Sequence, residues 1–123
     1  MSDYLTFKPP VTHLDSAPCG SYDAYGKGED RDYIVLVSDI EAAQEELADV
    51  GYVTVAYAYG TTGFRSLRSG NINIILTSDE ARFTSFKYAA LAMRNLADII
   101  PLANKPFRIA LYDLVRQTYA GVR

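Results

Sequence analysis

A chain of 123 residues has room for one domain and little more, and 49% hydrophobic with 22% charged residues excludes intrinsic disorder and fibrous repeats. One cysteine, Cys19, and one histidine, His13, exclude an intramolecular disulfide and argue against zinc or a Ser-His-Asp triad. The formal charge of −3 argues against a dedicated nonspecific DNA binder and leaves only a local basic patch open.

Residues 1–19 carry Pro9, Pro10 and Pro18 and are expected to form an extended N-terminal arm pinned by Tyr4, Leu5 and Phe7. Residues 20–123 are read as a single domain. Residues 20–28, bounded by glycines, predict a short helical turn. The run 32–37 (DYIVLV) is β-branched, bounded by turn residues and too short for a helix, so it predicts a buried strand. Ser38 or Asp39 caps a helix over 40–50, with Gly51 at its C-terminal stop. Residues 53–59 alternate large and small side chains and place Val53, Val55, Tyr57 and Tyr59 on one face. Two further strands, 64–68 and 71–77, complete an antiparallel meander. Helical spacing of Phe83, Phe86, Ala90, Met93 and Ala97 predicts a helix from Ser78-Asp79-Glu80 to about residue 97. A last helix starts near Pro106 and carries Phe107, Leu111, Leu114 and Thr118 on its apolar face. Strand, helix, three strands and two helices describe one α+β domain with helices on a mixed sheet.

The apolar stretches fall short of the ~20 residues a bilayer span needs, and residues 1–8 lack signal-peptide regions. A cytoplasmic protein with no membrane partner is expected. Ten tyrosines and five phenylalanines favour a binding surface, because tyrosine suits positions half in a core and half in an interface. Tyr57 and Tyr59, with Arg65 and Arg68, are the candidate interface for a protein partner or a second copy of the chain.

Chemistry concentrates at Gly20-Ser21 and at Asp30-Arg31-Asp32. Carboxylates two apart at a strand start point to one face, the geometry for holding Mg²⁺ through oxygen. A Gly-Ser opening a helix presents backbone N–H groups and a hydroxyl to a phosphate. Arg65 and Arg68 could pair with further phosphates. The same residues also suit plainer roles: a solvated turn for the aspartates, a helix start for Gly20-Ser21, salt bridges for the arginines. Cys19, with no base but distant His13, reads as a small buried hydrophobe.

These motifs resemble the polymerase-β-like nucleotidyltransferase superfamily, with Gly-Ser opening a helix, then Asp-x-Asp on a strand, then a third carboxylate on a later strand. The run 64–77 (FRSLRSGNINIILT) and Arg108-Ile109-Ala110-Leu111 are most similar to small nucleotidyltransferase-like proteins encoded by bacteriophages. The resemblance covers roughly residues 19–115. It implies a minimal nucleotidyltransferase-like mixed sheet, with Asp30 and Asp32 on Mg²⁺, and Gly20, Ser21, Arg65 and Arg68 on the nucleotide. The third carboxylate, which activates the attacking hydroxyl, falls at Asn73, whose neutral amide cannot serve as a general base. Counting from Ser21 instead puts Asp32 at the first carboxylate and Ile34 at the second. Two functions follow: a protein with a degenerate site that binds a nucleotide, nucleic acid or host protein, or an active Mg²⁺-dependent enzyme moving a nucleotidyl group to a hydroxyl.

Overall fold

The computed structural model of the chain describes residues 7–20, 30–55 and 64–96 and positions 106, 110 and 114. Its centre is a five-stranded mixed sheet in the order β1-β2-β5-β4-β3. The strands are β1 (Asp15–Cys19), β2 (Arg31–Leu36), β3 (Val53–Thr54), β4 (Arg65–Ser69) and β5 (Ile72–Thr77), with helices α1 (Ile40–Asp49) and α2 (Glu80–Leu96). β2 and β5 run parallel at the centre, and every other neighbouring pair is antiparallel. The meander β3-β4-β5 is present; β3 comprises Val53–Thr54, and residues 56–59 of the strand predicted over 53–59 lie outside the described residues. Strand β1 is an addition: Ser16, Ala17 and Pro18 are weak strand formers, and the segment is extended because it pairs with β2. Pro18 is tolerated there since an edge strand has one side that needs no donor.

The alternation of side chains along each strand separates two apolar layers. On one face Tyr33, Val35, Leu67, Ile74 and Leu76 pack with Ala43 and Leu47 of α1. On the other, Ile34, Leu36 and Ile75 pack with Phe83, Phe86 and Ala90 of α2. The helices therefore cover opposite faces, which explains why the central strands read as unbroken apolar runs: both faces of the sheet are buried. Ile34, Ile75, Leu76 and Phe86 are fully buried, each contributing on the order of 1.5–3 kcal/mol of transfer free energy.

The starts of α1 and α2 are each set by an aspartate. Asp39 accepts from the backbone N–H groups of Glu41 and Ala42, at 3.0 and 3.2 Å. Asp79 accepts from those of Ala81 and Arg82, at 2.9 and 3.3 Å. Gly51, at φ +97° just past the α1 cap residue Val50, supplies the left-handed turn that ends the helix.

The predicted stripe on α2 is buried at Phe83, Phe86, Ala90 and Met93, while Ala97 lies outside the described residues. One expectation needs correction. Leu114, assigned to the apolar face of the last helix, is 61% exposed. Pro106, Ala110 and Leu114 are all helical and exposed, and their four-residue spacing makes them one outward stripe. Among the described residues no helix is long and apolar enough to cross a membrane.

Candidate functional site

The strand register lines up one polar row across the sheet. Cys19 on β1 stands opposite Asp32 on β2, Asp32 opposite Asn73 on β5, and Asn73 opposite Arg68 on β4. Directly opposed residues share a face, so all four side chains lie on the α2 side. One step further along the strands, Ile34 and Ile75 are already under Phe86. The row is thus the rim where the apolar layer stops. Asp30 precedes β2 by one residue and, two before Asp32, falls on the same face.

Within this rim the groups form two pairs. Asn73 donates its amide Nδ2–H to Asp32 Oδ1 at 3.1 Å. Arg68 forks onto Asp30, with Nη1 donating to Oδ1 at 2.8 Å and Nη2 to Oδ2 at 3.1 Å. The two side chains of the fork are 36% and 47% exposed. A pair so wet contributes up to about 1 kcal/mol and exchanges partners readily. Burial pushes the Asp32 carboxyl above the ordinary aspartate range; Asn73 pulls it down by hydrogen bonding, Asp30 pushes it up by repulsion, and Arg68 pulls it down by attraction.

Gly20 closes the β1 side of Asp32. It follows β1 directly, sits at φ +82°, and a Cβ built on it would collide with the Asp32 carboxylate, lying 3.0 Å from Cγ. Only glycine lets the backbone pass this close in this conformation. The carboxylate is therefore held between the Asn73 amide and the Gly20 backbone.

Gly20, Asp30, Asp32, Arg68 and Asn73 thus lie together at this rim. Arg65 does not join them. It lies three residues before Arg68, an odd step that the pleat turns to the opposite face, where it bonds Glu41 at 3.1 Å and the Gln44 amide oxygen of α1. Its expected nucleotide contact is corrected accordingly: it braces α1 against β4. Ile34, the second carboxylate position in the alternative count from Ser21, is fully buried between sheet and α2. That position can ligate nothing. Ser21, Tyr57 and Tyr59 lie outside the described residues. Cys19 is fully buried, as its reading as a small hydrophobe requires. The sequence reading did not foresee its place beside Asp32, which only the β1–β2 register reveals.

The oxygen donors at the rim are the carboxylates of Asp30 and Asp32 and the Asn73 Oδ1, which is buried with no hydrogen-bond partner. Such a set suits a hard cation such as Mg²⁺ rather than a soft one. Among the described residues no three or more His, Cys, Asp or Glu side chains gather into a metal-holding group. Of these oxygens, both of Asp30 are engaged by the Arg68 guanidinium.

No protein-family model matches the chain. No curated protein matches it by sequence. Among solved structures it is similar to the conserved protein GrpB from Enterococcus faecalis, with a TM-score of 0.50 and 18% identity over 89% of this chain and 81% of that chain. The α+β fold, a five-stranded mixed sheet with helices packed on it, is consistent with a nucleotidyltransferase-like fold. In this fold the Asp-bearing strand β2 pairs in parallel with the central strand β5, which presents an amide to the Asp32 carboxylate.

Proposed function

We propose that the chain binds the phosphates of a nucleoside triphosphate, with one Mg²⁺, at the rim formed by Asp30, Asp32, Asn73 and Arg68, and that it works by binding rather than by efficient transfer. The observation that carries this reading is Asn73, which stands across from Asp32 and donates to it. A group that is neutral and already donating its N–H cannot take a proton from an attacking hydroxyl. Asp32 and Asn73 would hold the ion, with Asp30 joining them. Arg68 would receive phosphate oxygens through the same planar fork it now gives to Asp30. Gly20 would add its backbone N–H, and Ser21, the phosphate contact that the sequence reading offers, its hydroxyl. Mg²⁺, when bound, supplies charge neutralisation of the phosphate oxygens. The likeness to bacteriophage proteins belongs to this reading and rests on the run 64–77; a host protein would then be the object of the bound state, met through Tyr57 and Tyr59.

One observation favours an active enzyme instead: Asp30 and Asp32 share a face, the placement a metal-bridging pair needs. Asn73→Asp separates the readings. It returns a third acid to the rim and is expected to raise Mg²⁺ affinity about tenfold by calorimetry, since ligand charge count sets affinity for hard cations. In the wild type, Mg²⁺ and a mixture of the four nucleoside triphosphates should bind without pyrophosphate release. Sustained pyrophosphate release by the wild type would establish the enzyme, and unchanged Mg²⁺ affinity in Asn73→Asp would remove Asn73 from the site.

A further inference from the structure

Among the described residues, strand β1 ends the sheet on one side, and its outward edge carries no free backbone donor. At the two ends of β2 the N–H groups of Arg31 and Val37 are given to the β5 side, 2.7 Å from the Asn71 carbonyl oxygen and 2.9 Å from that of Thr77. Backbone groups alternate from one edge of a strand to the other, so Asp32, Ile34 and Leu36 point theirs toward β1. Their partners there are Cys19, Ala17 and Asp15. The residues between, Ser16 and Pro18, therefore point their backbone groups away from the sheet. Proline has no N–H to offer. The Ser16 N–H is taken by the chain itself, which donates it to Asp15 Oδ1 at 2.8 Å. The other oxygen of that carboxylate lies 3.9 Å from Lys87 Nζ on α2, which keeps the Asp15 side chain at the edge. Leu14, directly ahead of the strand, is 70% exposed. An apolar side chain beside an open row of donors and acceptors would make this edge a template for another chain.

We propose that Asp15 and Pro18 together guard this edge against strand addition, so that a second copy of the chain cannot extend the sheet through β1. The inference is independent of what the rim binds. Strand pairing needs donors and acceptors on both partners. A strand laid along β1 would find the outward carbonyls of Ser16 and Pro18, but no N–H for its own carbonyls to accept from. Those carbonyls would give up water and gain no hydrogen bond in return. Strand addition would also carry the half-exposed Asp15 carboxylate into the new interface, where its charge loses hydration. The two residues act in different ways on the two outward positions: Pro18 removes a donor covalently, and Asp15 occupies the other one.

The test is sedimentation velocity of the full chain over a concentration series, with amide hydrogen exchange read at positions 16 and 18. Asp15→Ala should speed exchange of the Ser16 amide by roughly tenfold or more, as loss of a hydrogen bond to a charged group implies. Asp15→Asn keeps an acceptor oxygen and should change that rate much less. The double variant Asp15→Ala/Pro18→Ala puts two donors on the edge. It should form a larger species whose share grows with concentration, and the amides at positions 16 and 18 should become protected as it forms. Pro18→Ala alone returns one donor and should do the same more weakly, which carries the test if the double variant does not fold. Lys87→Ala leaves both guards in place and should sediment like the wild type. A folded double variant that sediments like the wild type at every concentration overturns the guard, as does a Ser16 amide whose exchange is unchanged in Asp15→Ala. Wild-type self-association that protects the Ser16 amide further would overturn it as well.

Discussion

Gly20→Ala is expected to destabilise the protein by about 2–5 kcal/mol and to abolish Mg²⁺ binding. Two costs add. A non-glycine residue in the left-handed region loses about 1–2 kcal/mol, and Gly20 sits there at φ +82°. The new methyl would also drive into the Asp32 carboxylate, and overpacking of this kind costs about 1–3 kcal/mol. Gly51 separates the two effects, because it has the same kind of backbone, at φ +97°, with nothing within 4 Å of its missing side chain. Gly51→Ala should therefore show the conformational cost alone. Urea denaturation of the two variants checks this: Gly20→Ala must be the more damaging, and equal losses would mean that Gly20 does not shape the Asp32 carboxylate.

Asp32→Asn should behave in the opposite sense, removing the site while making the fold more stable at neutral pH. Burial raises the Asp32 pKa in the folded state above its unfolded value. Above both values the carboxylate is charged in the folded and unfolded chain alike, and the folded protein alone bears its desolvation. As pH falls through the raised folded value toward the ordinary unfolded one, the folded state takes up a proton that the unfolded chain does not, so this group's contribution to stability improves. Below both values it changes no further. Asparagine is neutral throughout, so the advantage of Asp32→Asn should be largest near pH 7 and shrink as pH falls into the acid range. Thermal melts of both proteins over that range test it; an Asp32→Asn protein less stable than the wild type at pH 7 would show that the ionised carboxylate is a structural asset. A destabilising charge kept at the rim is what a ligand site requires and a plain turn does not.

The fold was legible where local chemistry and tertiary packing agree. The β-branched run on β2, the Asp39 cap and the Phe83–Phe86–Ala90–Met93 stripe each specify their element within a few residues. Strand β1 was not legible, because its extended form comes from pairing with β2 and its own residues give no strand preference. At the site, the even spacing of Asp30 and Asp32 announced a common face. The odd spacing of Arg65 and Arg68 equally announced opposite faces, yet nearness in chain order grouped them together. Leu114 lies on the exposed stripe with Pro106 and Ala110, and which face of that helix meets the sheet is set by tertiary packing that the sequence pattern does not fix. The Asp30–Arg68 fork lay beyond sequence reading altogether, since it depends on β4, β5 and β2 being neighbours in register.

The central claim is that the Asp30/Asp32/Asn73/Arg68 rim holds a nucleotide's phosphates together with a hard cation. A crystal structure of the full chain soaked with Mg²⁺ and ATP addresses it most directly. The prediction is an ion at about 2.1 Å from carboxylate oxygens of Asp32 and Asp30, with the Arg68 guanidinium turned from Asp30 onto a phosphate oxygen and the triphosphate intact. Phosphate density away from β2, or an Arg68–Asp30 fork unchanged in crystals saturated with Mg²⁺ and ATP, would contradict it.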